Sequence, residues 1–200
     1  MKHAQALHAD KPRQRRDEVN DAAAAVFSEK GYDGASTKDI ADRLGLQQGS
    51  VYYYFPSKEA ALLEVCLKGV DEHVRQLELI MSAPMPGLEK LDSFILRHIS
   101  ATVERRDYVR VFLRDRFRLP KPGRRKVGAL ARRYETMVEG ILRQAGLEGS
   151  LRTALDLRLM ALSLLDLCNA ATRWYEREGL TPEQIAQHLT DLARKGLEQP

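Results

Sequence analysis

The 200-residue sequence has little of what marks membrane, secreted or disulfide-linked proteins. It contains no run of 18 or more apolar residues, so we expect no transmembrane helix. The first 16 residues hold no apolar segment of the kind that forms a secretory signal. The two cysteines, Cys66 and Cys168, form no C-x-x-C pair. We therefore expect two buried thiols and a reducing, cytoplasmic setting.

Aromatic residues, glycine and proline are also scarce, which favours a helical fold. Aromatics make up 6% of the chain, and its 13 glycines and 8 prolines stand mainly between apolar segments. Alanine, leucine, arginine and glutamate dominate, and these residues have high helix propensity. No strand-like alternation extends beyond a few residues. The expected fold is all-α, with about nine helices.

Residue patterns typical of enzymes are absent as well. The histidines do not have the spacing of metal ligands; they are His3, His8, His73, His98 and His188. No glycine-rich phosphate loop follows a strand, and no arrangement of a nucleophile and a general base is evident. We therefore predict no catalytic residue, no metal ion and no cofactor, and favour a regulatory or binding protein over an enzyme.

Positive charge is concentrated in two segments, although the net charge is only +4. Residues 1–16 carry five Lys and Arg against one acidic residue, and residues 105–133 carry twelve against two. The segments 17–104 and 134–200 are both acidic. Each basic segment is a candidate for contact with phosphate groups.

Apolar spacing and helix-breaking residues predict the order of the helices. Gly31 ends the first helix, Thr37 caps the second, Gly45 separates it from the third, and Ser57 caps a long fourth helix. The predicted helices cover 14–30, 37–44, 47–55, 58–81, 88–104, 106–118, 122–146, 151–176 and 182–197. The predicted domains are a flexible basic arm (1–12), a helix-turn-helix domain (13–58), a connecting helix (59–81) and a ligand-binding and dimerisation domain (82–200).

Two short helices joined at Gly45 have the geometry of a helix-turn-helix, with the motif at 36–55. The surrounding sequence contains Gly31-Tyr32-x-x-x-Ser36-Thr37, then Ile40-Ala41-x-x-x-Gly45, then Gly49-Ser50-Val51-Tyr52-Tyr53-Tyr54-Phe55-Pro56-Ser57-Lys58-Glu59. Over residues 14–59 this resembles the DNA-binding domain of the TetR family of transcriptional regulators. The resemblance implies a cytoplasmic regulator that binds double-stranded operator DNA.

The predicted DNA contacts lie on and around the third helix. Val51 and Phe55 are expected to face inward, which leaves the glutamine, serine and tyrosine side chains of that helix to meet base edges and phosphates. The resemblance implies contacts by Thr37, Gln48, Gly49, Tyr52, Tyr53 and Lys58. The full predicted set is Ser36, Thr37, Lys38, Gln47, Gln48, Gly49, Ser50, Tyr52, Tyr53, Tyr54 and Lys58. Packing into the small core is an equal alternative for Tyr54. The N-terminal cations Lys11, Arg13, Arg15 and Arg16 belong either to a disordered basic tail or to an arm that contacts phosphates.

Two features suggest a ligand site in the C-terminal half. Arg106, Arg110, Arg114 and Arg118 recur every four residues, which indicates a solvated face, a membrane-surface contact, or a site for the phosphates of a coenzyme A thioester. The string from Asn169 through Arg173-Trp174 to Ala186 resembles the acyl-CoA-responsive, FadR-like branch of the family. Arg173 and Trp174 contact ligand or are purely structural, and Asn169 contacts ligand or a dimer partner. The predicted ligand residues are Arg110, Arg114, Asn169, Arg173 and Trp174.

The last two predicted helices are apolar enough to pair with a second copy as a four-helix bundle, which indicates a homodimer. The favoured function is a repressor released from its operator by a small-molecule inducer, in particular an acyl-CoA thioester. One alternative is a regulator of an efflux or other catabolic operon that responds to a different hydrophobic or anionic ligand. Another is a DNA-binding protein with no ligand.

Overall fold

The computed structural model describes residues 2–152 and 156–197, without the side chains of residues 2–13 and Glu176. Within those ranges the chain forms nine α-helices of seven or more residues and no β-strand, so the all-α prediction is confirmed. The helices are α1 (Lys2–Gly34), α2 (Thr37–Arg43), α3 (Gln48–Tyr54), α4 (Lys58–Ser82), α5 (Gly87–Glu104), α6 (Arg106–Asp115), α7 (Lys121–Leu147), α8 (Leu157–Ala170) and α9 (Pro182–Leu197).

Three helices differ from the sequence prediction. The predicted helix 151–176 is too long at both ends. The Asp156 carboxylate accepts a hydrogen bond from the Leu159 N–H at 3.0 Å and starts α8, which then ends at Ala170. The predicted helix 106–118 ends at Asp115 and continues as a 3₁₀ turn. Helix α1 begins at Lys2 and therefore includes all but the first residue of the predicted arm 1–12. The flexibility of that arm stays a prediction.

The helices divide into two compact units that differ from the predicted domains. The first unit contains residues 1–68 and 107–127, and the second contains residues 69–106 and 128–200. The first unit is larger than the predicted segment 13–58. Its core adds residues from beyond α4 to the predicted apolar faces of α1 to α3; these are Tyr108, Val111, Leu119 and Val127.

Close packing between α5 and α7 in the second unit leads to a stability prediction. A Cβ atom added at Gly87 would lie 2.6 Å from the Cα of Ala145, and the backbone cannot move aside cheaply. We expect Gly87→Ala to lower the free energy of unfolding by about 2 kcal/mol, as overpacking does elsewhere. Urea denaturation followed by circular dichroism measures this. Gly146→Ala is the control, because nothing lies within 4 Å of its added Cβ, and an unchanged Gly87→Ala would contradict the packing.

Candidate nucleic-acid interface and ligand pocket

A capping box fixes the start of α2. The Ser36 hydroxyl accepts from the Asp39 N–H at 3.1 Å, and the Asp39 carboxylate accepts from the Ser36 N–H at 2.8 Å. The prediction that Thr37 caps this helix is therefore wrong. The acidic residue must stand three positions after the cap, and only Ser36 satisfies that spacing with Asp39. Thr37 becomes the first helical residue and is buried.

The turn between α2 and α3 depends on one glycine. Gly45 has φ 65°, and the Leu46 N–H then donates to the Ala41 carbonyl at 2.9 Å. Glycine adopts this left-handed conformation without the steric cost other residues pay. Beyond the turn, Val51 and Phe55 are fully buried, as predicted, so the opposite face of α3 is held outward.

The outward face of α3 carries polar and aromatic side chains. Tyr53 is 85% exposed and Tyr52 is 48% exposed. Gln48, Gly49 and Ser50, in the first turn of α3, are exposed too. Neighbouring large aromatics are seldom left in water without a partner. This face can therefore present amide, hydroxyl and ring groups to the edges of bases.

Hydrogen bonds orient two of these side chains. Gln48 Nε2 donates to Thr37 Oγ1 at 3.0 Å, and Thr37 Oγ1 in turn donates to Tyr52 Oη at 3.3 Å. The buried threonine thus links the start of α2 to both ends of the α3 surface. Side chains held in this way lose less conformational freedom when they meet DNA.

The ammonium group of Lys58 is hydrogen-bonded within the first unit. Its Nζ donates to the carbonyls of Tyr32 at 2.9 Å and Ala35 at 3.0 Å, and lies 4.4 Å from the centre of the Tyr32 ring. Two of its three protons are therefore used to hold the chain between α1 and α2. Lys58 positions this segment, and its predicted phosphate contact is left to the remaining proton.

The other predicted DNA contacts fall into two groups. Ser36, Lys38 and Gln47 are exposed near the starts of α2 and α3. Tyr54 is half-buried, packs against the core, and meets the Tyr53 ring edge-on at 5.2 Å between centroids. These contacts favour the packing alternative for Tyr54.

The structure describes only some of the basic side chains at the N-terminus. Arg15 pairs with Glu18 at 2.6 Å, and Arg16 pairs with Glu64. Lys11 and Arg13, the other two cations considered for the arm, have side chains outside the described part of the chain. The two described arginines are therefore partly neutralised by acidic neighbours, and a phosphate contact by the arm stays a prediction.

The two arginines of α6 that were predicted to contact ligand bond to the end of α1, and their role as ligand contacts stays a prediction. Arg114 donates from Nη2 to the Phe27 carbonyl at 2.5 Å and from Nη1 to the Ser28 carbonyl at 3.3 Å, and also pairs with Asp115. Arg110 reaches Ser28 Oγ at 3.5 Å. The Phe27 and Ser28 carbonyls lie in the last turn of α1 before its break at Gly31, where cations are favoured. Nothing in this geometry supports the two arginines as ligand contacts.

A buried polar cluster lies in the second unit. Tyr134 Oη donates to His98 Nδ1 at 2.8 Å, and His98 Nε2 donates to Asn169 Oδ1 at 3.2 Å. An amide oxygen can only accept, so this assignment places the imidazole proton on Nε2 and leaves Nδ1 as the acceptor. Asn169 thus has His98 as its hydrogen-bond partner within the second unit.

A second histidine joins this cluster. The His73 ring lies 4.9 Å from the His98 ring between centroids, and its Nδ1 bonds to the Gly69 carbonyl at 2.9 Å. Burial lowers the pKa of His98 to about 3 and also lowers the pKa of His73 below its ordinary value. Both imidazoles are therefore neutral near pH 7.

A recess opens onto this cluster. Its enclosed space is about 10 Å³, room for roughly one water molecule and far below the roughly 300–1,000 Å³ of drug-sized ligand pockets. Apolar walls surround neutral polar groups, and one guanidinium, that of Arg97, lines the recess. The lining residues are His73, Gln76, Leu77, Ile80, Phe94, Arg97, His98 and Tyr134.

The predicted ligand residues of this unit are only partly brought together. Asn169 bonds to the cluster, whereas Arg173 and Trp174 do not line the recess. Arg173 is exposed and Trp174 is half-buried, beside the 3₁₀ turn Ala171–Arg173. Sequence reasoning missed His98 and Tyr134. The only available signal was a histidine and a tyrosine at inward-facing positions of predicted helices.

The two buried histidines predict loss of stability in acid. Below pH 6.5 His73 and His98 become protonated in the unfolded chain but stay neutral in the folded chain to a lower pH. The free energy of unfolding therefore falls as pH falls. The slope is up to about 1.4 kcal/mol per pH unit for each histidine. Urea denaturation at pH 7.5 and 5.5 measures it.

The matched variants are His98→Gln and His188→Gln. His98→Gln should remove part of the acid sensitivity, whereas His188 is exposed and its replacement should leave that sensitivity unchanged. An equal response to pH in both variants would contradict the proposed role of burial.

The remaining features of the described part of the chain concern metal ligands, membrane spans and cysteines. Among those residues, no cluster of three or more His, Cys, Asp or Glu side chains is placed to hold a metal ion. No described helix is long and apolar enough to cross a membrane. Cys66 and Cys168 are buried free thiols, and burial raises the pKa of each to about 12.

Known proteins resemble this chain over nearly its whole length. Residues 20–65 match the bacterial regulatory proteins of the tetR family, and residues 84–197 match the tetracyclin repressor-like C-terminal domain. The transcriptional repressor KstR2 of Mycolicibacterium smegmatis is 30% identical over 190 residues, which cover 94% of this chain and 93% of that protein.

Two further proteins extend the comparison. The structure of the ketosteroid transcriptional regulator KstR2 of Mycobacterium tuberculosis is 27% identical with a TM-score of 0.85, covering 93% of this chain and 96% of that one. The fatty acid metabolism regulator protein of Bacillus subtilis is 25% identical over 142 residues, covering 71% of this chain and 73% of that protein. With both domains matched and a helix-turn-helix that presents α3 to solvent, the chain belongs to the TetR family of transcriptional regulators.

Proposed function

We propose that the protein is a homodimeric repressor that binds operator DNA through α3 and is released by a small-molecule inducer. The observation that carries the DNA-binding part is the exposed face of α3, with Tyr53 projecting into solvent and Gln48 and Tyr52 held by Thr37. One α3 helix reads a half-site, and a two-fold pair reads successive major grooves about 34–36 Å apart.

The dimer is proposed to form through α8 and α9. Leu159, Leu167 and Leu192 on these helices are all more than 40% exposed. Leu159 and Leu167 are eight residues apart and therefore lie on one face of α8. Apolar side chains repeated along one helix face typify an interface between subunits.

The ligand is proposed to enter the second unit beside His98. The protons of His98 and Tyr134 are donated within the cluster, so the second amide proton of Gln76 suits a carbonyl group and Tyr134 Oη can accept from a hydroxyl group. The apolar walls suit a hydrocarbon body, and Arg97 suits an anionic group. The relatives named above regulate fatty-acid metabolism or are described as ketosteroid regulators. A lipid-derived acyl-CoA thioester combines all three chemical features, so it is the proposed inducer.

Release is proposed to follow from two conformations with different spacing of the recognition helices. The recess is smaller than the ligand, so binding requires its walls to move apart. A ligand that binds one conformation better shifts the population toward it, and operator DNA favours the other. The two ligands then antagonise each other.

Footprinting on the DNA flanking the protein's own gene tests this proposal. A protected palindrome is expected, and long-chain acyl-CoA should release it, whereas free fatty acid and free CoA should not. A ketosteroid serves as a fourth addition. Specific protection that none of the four compounds releases would overturn the proposed inducer. Absence of specific protection would overturn operator binding at this DNA.

A further inference from the structure

We propose that the segment 116–126, here called the junction surface, binds phosphates of the DNA duplex that flanks the operator. This inference rests on the proposed operator binding and extends it beyond the helix-turn-helix. The junction surface carries six basic residues and no acidic one; they are Arg116, Arg118, Lys121, Arg124, Arg125 and Lys126.

The charge of the first unit depends on this surface. The unit contains 18 Lys and Arg and 12 Asp and Glu, a net charge of +6. Six of the 18 cations lie in the junction surface, so the rest of the unit has no net charge. The helix-turn-helix segment 17–58 is itself acidic, with four cations against seven carboxylates. Non-specific attraction to DNA therefore needs cations from outside that segment.

Contacts within the unit place the junction surface beside the DNA-facing segment. Arg118 pairs with Asp33 at 2.9 Å, three residues before the Ser36 cap of α2. A Cβ built at Gly123 would lie 3.5 Å from Leu63 Cδ1. Leu63 follows Lys58 by five residues, about 7.5 Å along α4. Both contacts thus place the junction surface close to the segment from Ser36 to Lys58, which carries the predicted phosphate contacts.

The form of the surface fits a polyanion better than a small anion. The side chains of Arg118, Lys121, Arg124, Arg125 and Lys126 are all exposed. Phe117, in the same segment, is also exposed, and the Arg116 guanidinium lies 4.8 Å from its ring centre. A small anion requires donors that converge in a buried site, whereas duplex DNA offers one charge per roughly 1.7 Å of its length.

Salt dependence on duplexes of two lengths tests the inference. One duplex holds only the operator, and the other extends it by about ten base pairs, one helical turn, on each side. The variant combines Arg124→Gln, Arg125→Gln and Lys126→Gln. On the long duplex it should lower the slope of log affinity against log salt by about 5, since each lost phosphate contact removes about 0.9 and a dimer loses three contacts on each side. Its affinity for that duplex should fall at least tenfold at low salt. On the short duplex it should match the wild type.

The control variant removes the same charge from exposed arginines of the second unit, through Arg75→Gln, Arg143→Gln and Arg177→Gln. Equal slopes for the junction variant and the wild type on the long duplex would overturn the inference. An equal loss on both duplexes, or in the control, would also overturn it. Reduced binding to anionic vesicles with unchanged DNA slopes would assign the surface to membranes instead. Failure of the wild type on both duplexes would overturn operator binding itself.

Discussion

Replacing Gln48 and Tyr53 together by alanine is expected to lower operator affinity by at least about 100-fold without unfolding the protein. A bidentate glutamine contact with a base alone accounts for about 1–3 kcal/mol of discrimination, and a dimer loses each contact twice. Both side chains are exposed, so their removal leaves no buried cavity. Fluorescence anisotropy with a labelled operator measures the affinity, and circular dichroism checks the fold.

Tyr54→Phe is the matched control for that double variant. The Tyr54 ring packs against the core, so keeping the ring and removing only the hydroxyl should preserve operator binding. Unchanged binding by the Gln48→Ala, Tyr53→Ala variant would remove α3 from the interface. A large loss in Tyr54→Phe would assign Tyr54 to DNA contact rather than to packing.

Charge placed on α8 and α9 is expected to break the dimer and with it operator binding. In the double variant Leu159→Asp, Leu192→Asp, each subunit would carry two carboxylates where the proposed interface is apolar. Burial of unpaired charges costs several kcal/mol, so the protein should be monomeric at micromolar concentration. A single half-site gives weak binding, and operator affinity should fall by at least about 100-fold. Analytical ultracentrifugation and anisotropy measure the two effects.

Leu147→Asp provides the control for the dimer. Leu147 is 86% exposed at the end of α7 and lies outside the proposed interface. This variant should remain dimeric and bind the operator normally. A dimeric Leu159→Asp, Leu192→Asp protein would show that the exposed leucines of α8 and α9 do not form the subunit interface.

The exposed face of α3 could be predicted from the sequence because its determinants are local. The positions of Gly45, Val51 and Phe55 define the turn and the inward face of α3 within eleven residues. Helix caps are also local, yet two were misassigned or missed. Ser36 with Asp39 is a pattern that a search for paired side chains three residues apart would have found, whereas Asp156 caps through the backbone N–H of Leu159 and has no second polar side chain.

The buried cluster around His98 could not be predicted in the same way because its parts are distant in sequence. His98 lies 36 residues from Tyr134 and 71 residues from Asn169. No local pattern relates these three residues, and only Asn169 was identified, through a family resemblance. Taken alone, each of the three has the sequence pattern of an ordinary polar residue in an apolar helix.

The partners of the arginine stripe of α6 could not be predicted for a related reason. Its spacing correctly indicated a basic face, but the partner of Arg114 is a pair of backbone carbonyls at Phe27 and Ser28, 87 and 86 residues earlier. Backbone acceptors carry no sequence signature. The α-helix also ends at Asp115, and Phe117 in the 3₁₀ turn that follows is exposed.

The central claim is that operator DNA and inducer bias one equilibrium in opposite directions. Its most direct test measures operator affinity with and without saturating long-chain acyl-CoA, and acyl-CoA affinity with and without saturating operator. Thermodynamic linkage requires the two ratios to be equal, and we expect each to be at least about tenfold. Operator affinity that is the same with and without the thioester, despite measurable thioester binding, would contradict the account.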